Sequence, residues 1–296
     1  MSADPTSPDR PARARRRAER AAEADERDRP SRAKPFLKWA GGKRQLLAQL
    51  DRFVPARFGT YHEPFVGGGA LFFHLAPAKA VLTDNNDRLV RAYRGVRDGV
   101  ERVIRLLSSY PHDKEFFLSF REHDVDRDSD AEVAAWMIYL NKTGFNGLYR
   151  VNSQNRFNVP FGRYTDPNIC DEDGLRACSR ALADADLPLG EDFTSVLHRA
   201  KKGDFVYFDP PYVPLSASSS FTSYTSEGFG LAEHARLRDV ALDLKQRGVH
   251  VLLSNSSAPA VLELYAEGFT VERVDAQRAV NSKASGRGPV TELIIR

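Results

Sequence analysis

From Pro35 onward the chain alternates short apolar blocks with longer stretches whose apolar residues recur about every 3.6 positions, and this predicts an α/β fold. Strands are expected at residues 61–66, running into Gly67, Gly68 and Gly69, and at 80–83, running into Asp84, Asn85, Asn86 and Asp87. Further strands are expected at 204–208, 249–254, 269–274 and 291–295. Helices are expected at 43–50, 71–75, 88–107, 115–139, 175–183, 231–247 and 258–267. A strand, a glycine turn, a helix and a second strand tipped by an acid make half of a nucleotide-binding unit.

Three stretches break this rhythm. Residues 1–34 hold no aromatic and no branched aliphatic side chain, and they mix Arg, Asp, Glu, Ala and Pro. They cannot bury enough surface to offset ordering entropy, so a disordered Arg-rich tail is expected. Residues 141–165, NKTGFNGLYRVNSQNRFNVPFGRYT, lose all periodicity; Asn and Gly there punctuate two short strands and predict a hairpin turning at 153–155. Residues 215–230 read as a Ser-, Gly- and aromatic-rich loop.

Composition changes this picture little. At 296 residues, 42% hydrophobic and 28% charged, the chain suits one large domain, or one domain with a substantial insertion. No apolar run approaches the roughly 18 residues of a membrane span. Two cysteines, Cys170 and Cys178, match no zinc or redox spacing, which points to a reducing cytoplasm.

Charge matters by location. The net +3 resides entirely in residues 1–34, and the rest of the chain is neutral. Any case for nucleic acid must therefore rest on local clusters. One exists: residues 141–165 carry Lys142, Arg150, Arg156 and Arg163, no acid, and five interleaved aromatics. With Asn146, Asn152 and Asn158 this suggests a DNA-reading hairpin, since Arg pairs bidentately with guanine and a loop apolar residue can touch a thymine methyl.

Asp209-Pro210-Pro211-Tyr212 follows an apolar strand, where α/β folds bind ligands. A carboxylate and a neighbouring carbonyl can accept both hydrogens of an exocyclic amino group and draw its nitrogen towards tetrahedral geometry. Proline fixes φ and brings no competing N–H, and the tyrosine offers a face to a flipped base. Such stacking is worth roughly 1–3 kcal/mol. The Glu63–Gly69 turn lets backbone approach a ligand closely, although it is not a dinucleotide fingerprint. Asp84 can accept from both hydroxyls of a ribose. Around FLKWAGGK, Lys43 can meet a carboxylate and Trp39 can wall an adenine or a sulfonium.

Taken together, FLKWAGGK, HEPFVGGGALFF, LTDNND, NKTGFNGLYRVN, FNVPFGRY, GDFVYFDPPY, FTSYTSEGF, LLSNSS and NSKASGRGPVTEL, in this order, resemble the Dam-type DNA adenine methyltransferases, which use S-adenosylmethionine. The resemblance spans nearly all of residues 35–295. It implies a Rossmann-like class I methyltransferase sheet, residues 35–110 and 190–296, interrupted by a mostly helical target-recognition insertion with a β-hairpin, residues 111–189. It further implies that Trp39, Lys43, Glu63, Gly67, Asp84 and Asp209 bind S-adenosylmethionine, and that Asp209 and Pro210 polarise the target amino group while Tyr212 stacks on the base. Lys38, Leu148, Arg150 and Pro160 match base-contacting positions of GATC-reading members; Asn146 matches one that anchors backbone, and Asn152 accompanies them on the hairpin. Phe221 to Tyr224 and the loop around Lys283 to Arg287 would contact the DNA backbone. No metal is implied, and a monomer acting on double-stranded DNA in the cytoplasm is expected; a cognate nuclease, if present, would be a separate polypeptide. Ser256-Ser257 stand where relatives often carry His-Asp, and the 34-residue extension is also a departure. Cytosine amino-methylation, or a DNA-binding regulator on an inactive scaffold, stay open as alternatives at this point.

Overall fold

The computed structural model describes residues 33–39, 41, 43, 46–215, 229–277 and 289–296. The expectations for residues 1–32, for 221–224 and for 283–287 lie outside the described residues. Seven strands among the described residues form one sheet: β1 (Tyr61–Glu63), β2 (Ala80–Leu82), β3 (Ala185–Asp186), β4 (Phe205–Phe208), β5 (His250–Ser256), β6 (Val271–Gln277) and β7 (Pro289–Ile295). Their order is β3-β2-β1-β4-β5-β7-β6. β1 to β5 pair in parallel, whereas β7 lies antiparallel between β5 and β6. The order reverses between β1 and β4, and ligands of open α/β sheets bind at the carboxyl ends of such a pair.

β1 and β4 are buried along their whole length, as parallel strands covered on both faces must be. The side chains of β1, β4 and β5 alternate between two cores. Tyr61, Phe205, Tyr207 and Leu252 enter one, and Val206, Phe208, Val251 and Leu253 enter the other.

The helices are α1 (Leu47–Leu50), α2 (Ala70–Leu75), α3 (Asp87–Ser109), α4 (Lys114–Arg121), α5 (Asp130–Thr143), α6 (Glu172–Leu182), α7 (Val196–Arg199), α8 (Leu231–Gln246) and α9 (Pro259–Leu264). α3 begins where the Asn86 side chain accepts from the Leu89 amide at 3.3 Å. α5 packs against it, and Gly95 permits the close approach: a Cβ there would collide with the Asp130 carbonyl. α5 is buried from Val133 to Asn141, a helix enclosed on all sides.

The single helix expected at 115–139 is instead two helices. The Asp124 carboxylate accepts from the Asp126 amide at 3.3 Å and opens a 3-10 turn at Val125–Arg127. Ser129 and Glu132 then form a capping box that starts α5 afresh. Short polar side chains bonding nearby amides outcompete helix continuation here. β3 was not anticipated, because Ala185–Asp186 is too short to leave a pattern. Its pairing with β2 returns the chain to the sheet before residue 189, the expected end of the insertion. The hairpin has no extended ladder: single antiparallel bridges join Gly144 to Phe161 and Val151 to Phe157, and Asn155 takes a positive φ in the turn.

Candidate active site and target-reading face

Three acids emerge from the carboxyl ends of three adjacent strands: Glu63 from β1, Asp84 from β2 and Asp209 from β4. Each has a distinct environment. Glu63 is buried, accepts from the Tyr61 hydroxyl at 2.9 Å and takes the Phe72 amide in the first turn of α2. Burial pushes its carboxyl up to about 8, outweighing those hydrogen bonds, and the nearby Asp209 charge adds to the rise. Asp84 accepts from the Gly67 amide at 3.1 Å and the Asn86 amide at 3.0 Å. Burial pushes it up to about 6 against those two amides. The Asp84–Gly67 bond joins the second acid to the glycine turn, and the Tyr93 hydroxyl fixes that turn further by donating to the Gly67 carbonyl at 3.1 Å.

Asp209 meets the cation foreseen at Lys43. The Lys43 ammonium lies 2.8 Å from Asp209 Oδ1, donates to the Gly41 carbonyl at 2.6 Å and sits 4.4 Å from the centre of the Tyr212 ring. Ser254 Oγ donates to the same Oδ1 at 2.9 Å. Pro210 is buried, and among the described residues no donor reaches its carbonyl. Tyr212 donates its hydroxyl to Glu292 on β7 at 2.6 Å. Beyond the motif, the Asn255 Oδ1 accepts from the Val213 amide and the Ser256 hydroxyl donates to the Val213 carbonyl. Ser254, Asn255, Ser256 and Glu292 went unnoticed as site residues in the sequence, although LLSNSS and VTEL contain them. Ser254, Asn255 and Ser256 close β5, the strand beside β4, whereas Glu292 lies on β7, the strand beyond β5.

Trp39 rests on bare glycine backbone. A Cβ on Gly67 would come 2.8 Å from its ring, and one on Gly68 would come 3.3 Å from its Cβ. Its other neighbour is Tyr149, stacked at 5.4 Å with planes 23° apart. The glycine turn and the 141–165 segment thus meet across one indole.

Asn141 on α5 organises the neighbouring side. It brackets the Lys38 backbone and also donates to the Gly147 carbonyl at 2.8 Å. The Lys38 side chain runs over Gly147 to the Tyr164 hydroxyl, 3.4 Å away. Asn146 and Gly147 both take positive φ, which turns the chain so that Leu148 points outward, 39% exposed. Phe145 donates its amide to the Pro160 carbonyl at 2.9 Å, joining the two arms of the segment. Arg150 is held by Asn158 through Nε at 2.6 Å and Nη2 at 3.1 Å. Lys38, Asn146, Leu148, Arg150, Asn152 and Pro160 are all exposed. Asn152 differs from the rest in what its oxygen does, accepting from the Gln154 and Arg156 amides to shape the turn. Arg88, not singled out in the sequence, anchors this turn to α3: it donates to the Asn155 carbonyl at 2.6 Å and grips Asp126 bidentately.

The donor set suits S-adenosylmethionine. A cation beside an acid answers an amino acid group, a half-buried carboxylate at the end of β2 answers a ribose diol, and the Trp39 indole on the glycine turn offers a wall to a flat ligand. No cluster of three or more His, Cys, Asp or Glu that could hold a metal ion occurs among the described residues. None of their helices is long and apolar enough to cross a membrane.

The sheet order, with one antiparallel strand before the edge and acids at the switch point, is that of a class I methyltransferase. The chain belongs to the D12 class N6 adenine-specific DNA methyltransferases, whose family model matches residues 39–280. It is 46% identical over 269 residues to the type II methyltransferase M1.LlaDCHI of Lactococcus lactis subsp. cremoris, covering 88% of this chain and 94% of that protein. It is 39% identical to the type II methyltransferase M.MjaIII of Methanocaldococcus jannaschii, with 88% and 98% covered. The DNA adenine methylase of Escherichia coli K12 is 33% identical, with 88% and 94% covered.

Proposed function

We propose that this enzyme methylates the N6 amino group of adenine within GATC in duplex DNA, after extruding the base from the helix. The observation that carries the chemistry is Asp209 at the carboxyl end of β4, one oxygen held by Lys43 and Ser254, and the Pro210 carbonyl beside it without a donor among the described residues. The carboxylate and the Pro210 carbonyl would accept the two amino hydrogens, which frees the nitrogen lone pair from the ring. S-adenosylmethionine, when bound, would supply a methyl on positive sulfur; the amino nitrogen would take the methyl with the positive charge and release one hydrogen as a proton, leaving the donor as a neutral thioether. Lys43, Asp84 and the Gly67 turn, with Trp39 and Glu63 around it, would hold that donor; Tyr212 would meet the extruded base. A site sheltered from water favours a reaction that disperses charge.

Specificity is assigned to the exposed set Lys38, Leu148, Arg150 and Pro160, with Asn146 and Asn152 beside them. The DNA adenine methylase of Escherichia coli K12 supports adenine as the target base, and the type II names support a cognate nuclease on a separate chain. We assign catalysis to residues 35–110 and 190–296, target reading to 111–189 with β3 returned to the sheet, and a monomeric working unit.

The test is transfer of labelled methyl to a duplex containing GATC and to one with that site scrambled, followed by digestion to nucleosides. The expected result is N6-methyladenine in the first duplex alone. Asp209→Ala should abolish transfer and keep DNA binding, and normal turnover by that variant would sink the assignment. Label at cytosine, or none with DNA bound, would favour the amino-cytosine enzyme or the regulator respectively.

A further inference from the structure

Asp209 is the end of a directed chain of hydrogen bonds. Ser254 lies fully buried on β5, just past the Phe208–Leu253 pair of the β4–β5 ladder. Its hydroxyl is 2.9 Å from Asp209 Oδ1 and 2.9 Å from the Tyr207 hydroxyl. An ionised carboxylate only accepts, so the single Ser254 hydrogen must go to Asp209. Ser254 can then only accept from Tyr207, and the order Tyr207 to Ser254 to Asp209 follows. Burial pushes the Tyr207 phenol well above its ordinary range, with the Asp209 charge contributing, so its proton stays in place.

Oδ1 is therefore doubly used, by Ser254 at 2.9 Å and by Lys43 at 2.8 Å. Among the described residues none bonds Oδ2, and the Asp209 side chain keeps 19% exposure although its partners are almost wholly enclosed. Rotating the carboxylate would break both bonds to Oδ1 at once. The two donors come from opposite sides of the chain's order, one from the segment before β1 and one from β5.

We propose that Ser254 is a positioning residue which, oriented by Tyr207 and acting with Lys43, immobilises Oδ1 of Asp209 and so commits Oδ2 to accept the target amino hydrogen. This rests on the methyltransferase reading above. It makes Ser254 matter to the transfer step rather than to affinity, since it touches neither ligand.

The test uses the full chain as wild type, Ser254→Ala, Tyr207→Phe and the double variant. Each change deletes one oxygen and keeps the carbon framework, so the fold is preserved; thermal melting checks this. Three quantities are read: the single-turnover rate of methyl transfer, Kd for a GATC duplex by anisotropy, and Kd for S-adenosylhomocysteine by calorimetry. S254A should transfer about 10- to 100-fold more slowly with both Kd values within about threefold of wild type. Y207F should lose less, and the double variant should be no slower than S254A, because Tyr207 acts only through Ser254. Wild-type speed in S254A, a loss confined to Kd, or multiplicative losses in the double variant would each overturn the proposal. A wild type that transfers no methyl to any duplex would overturn the functional reading itself, a separate and visible failure.

Discussion

Asn141 pairs with Lys38 as one strand pairs with another: its Oδ1 accepts from the Lys38 amide at 2.8 Å and its Nδ2 donates to the Lys38 carbonyl at 2.8 Å. The second Nδ2 hydrogen goes to the Gly147 carbonyl, so a nearly wholly buried side chain spends every polar atom on two segments far apart in sequence. One segment leads into Trp39 and Lys43, and the other carries Asn146 and Leu148. Cofactor and target elements share this joint.

Replacing Asn141 with Ala should strand one amide and two carbonyls. Each buried polar group left unpaired costs about 1–3 kcal/mol, less where water enters. Denaturant unfolding should register a loss of several kcal/mol, and discrimination between GATC and near-cognate duplexes should fall. A variant as stable and as selective as wild type would show that the joint is incidental.

Asp84 gives a pH dependence with a definite sign. Its carboxyl is raised to about 6, and only the ionised form can accept from two ribose hydroxyls. Affinity for S-adenosylhomocysteine should therefore strengthen as pH rises through about 6 and level off above it. Asp84→Asn should bind more weakly and lose that dependence, as calorimetry at several pH values can establish.

Glu63 acts in the opposite sense on stability. A carboxyl whose folded value is about 8, against an ordinary 4.5, holds its proton in the folded chain where the unfolded chain has released it. Its contribution therefore declines as pH rises from about 4.5 to about 8. Glu63→Gln keeps an acceptor without the charge, so its melting temperature should fall less than that of wild type between pH 5 and 8.5. Parallel curves would mean that Glu63 is ionised throughout.

Gly67→Ala should damage the site on two counts. The residue has φ +47°, and the added methyl would lie 2.8 Å from Trp39. A left-handed non-glycine residue costs about 1–2 kcal/mol before the clash is relieved by moving the indole. Weaker S-adenosylhomocysteine binding is expected, along with a change in Trp fluorescence reporting the displaced ring.

Arg150 separates base reading from phosphate contact. Asn158 engages Nε and Nη2, leaving Nη1 and the second Nη2 hydrogen for a partner. Arg150→Ala should cost roughly 1–3 kcal/mol at one base pair of the site. A uniform loss over all duplexes would assign it to the phosphates.

The sheet was legible wherever strand residues are buried on both faces, because FVYF and YHE sit between turn signals and little else competes with that pattern. It failed at β3, whose two residues carry no periodicity, and at 115–139, where Asp124 and Ser129 cut a helix that the apolar spacing alone would continue. Asp84 and Asp209 are legible as strand-end residues and Lys43 as a cation seeking a carboxylate, whereas Glu63 falls inside the stretch 61–66 expected as strand and ends β1 only in the structure. What could not be read was partnership across the chain. Nothing in LLSNSS announces that Ser254 reaches Asp209, nor in VTEL that Glu292 takes the Tyr212 hydroxyl, because both contacts depend on which strand lies beside which. The roles of Asn141 and Arg88 were hidden likewise, each joining elements separated by tens of residues or more.

The placement of β7 has a consequence for how the chain assembles. Among the described residues β6 pairs with β7 alone, and β7 is the one strand that joins β6 to the parallel half of the sheet. The β6–β7 pair can therefore open from, or dock on, the parallel strands as one unit through the β5–β7 ladder. Because Glu292 rides on β7, a state with that pair open would keep the Ser254–Asp209 bond while the Tyr212 hydroxyl loses its Glu292 acceptor. Native-state hydrogen exchange should then show the amides of the β6–β7 pair opening together, as a unit distinct from those of β4 and β5.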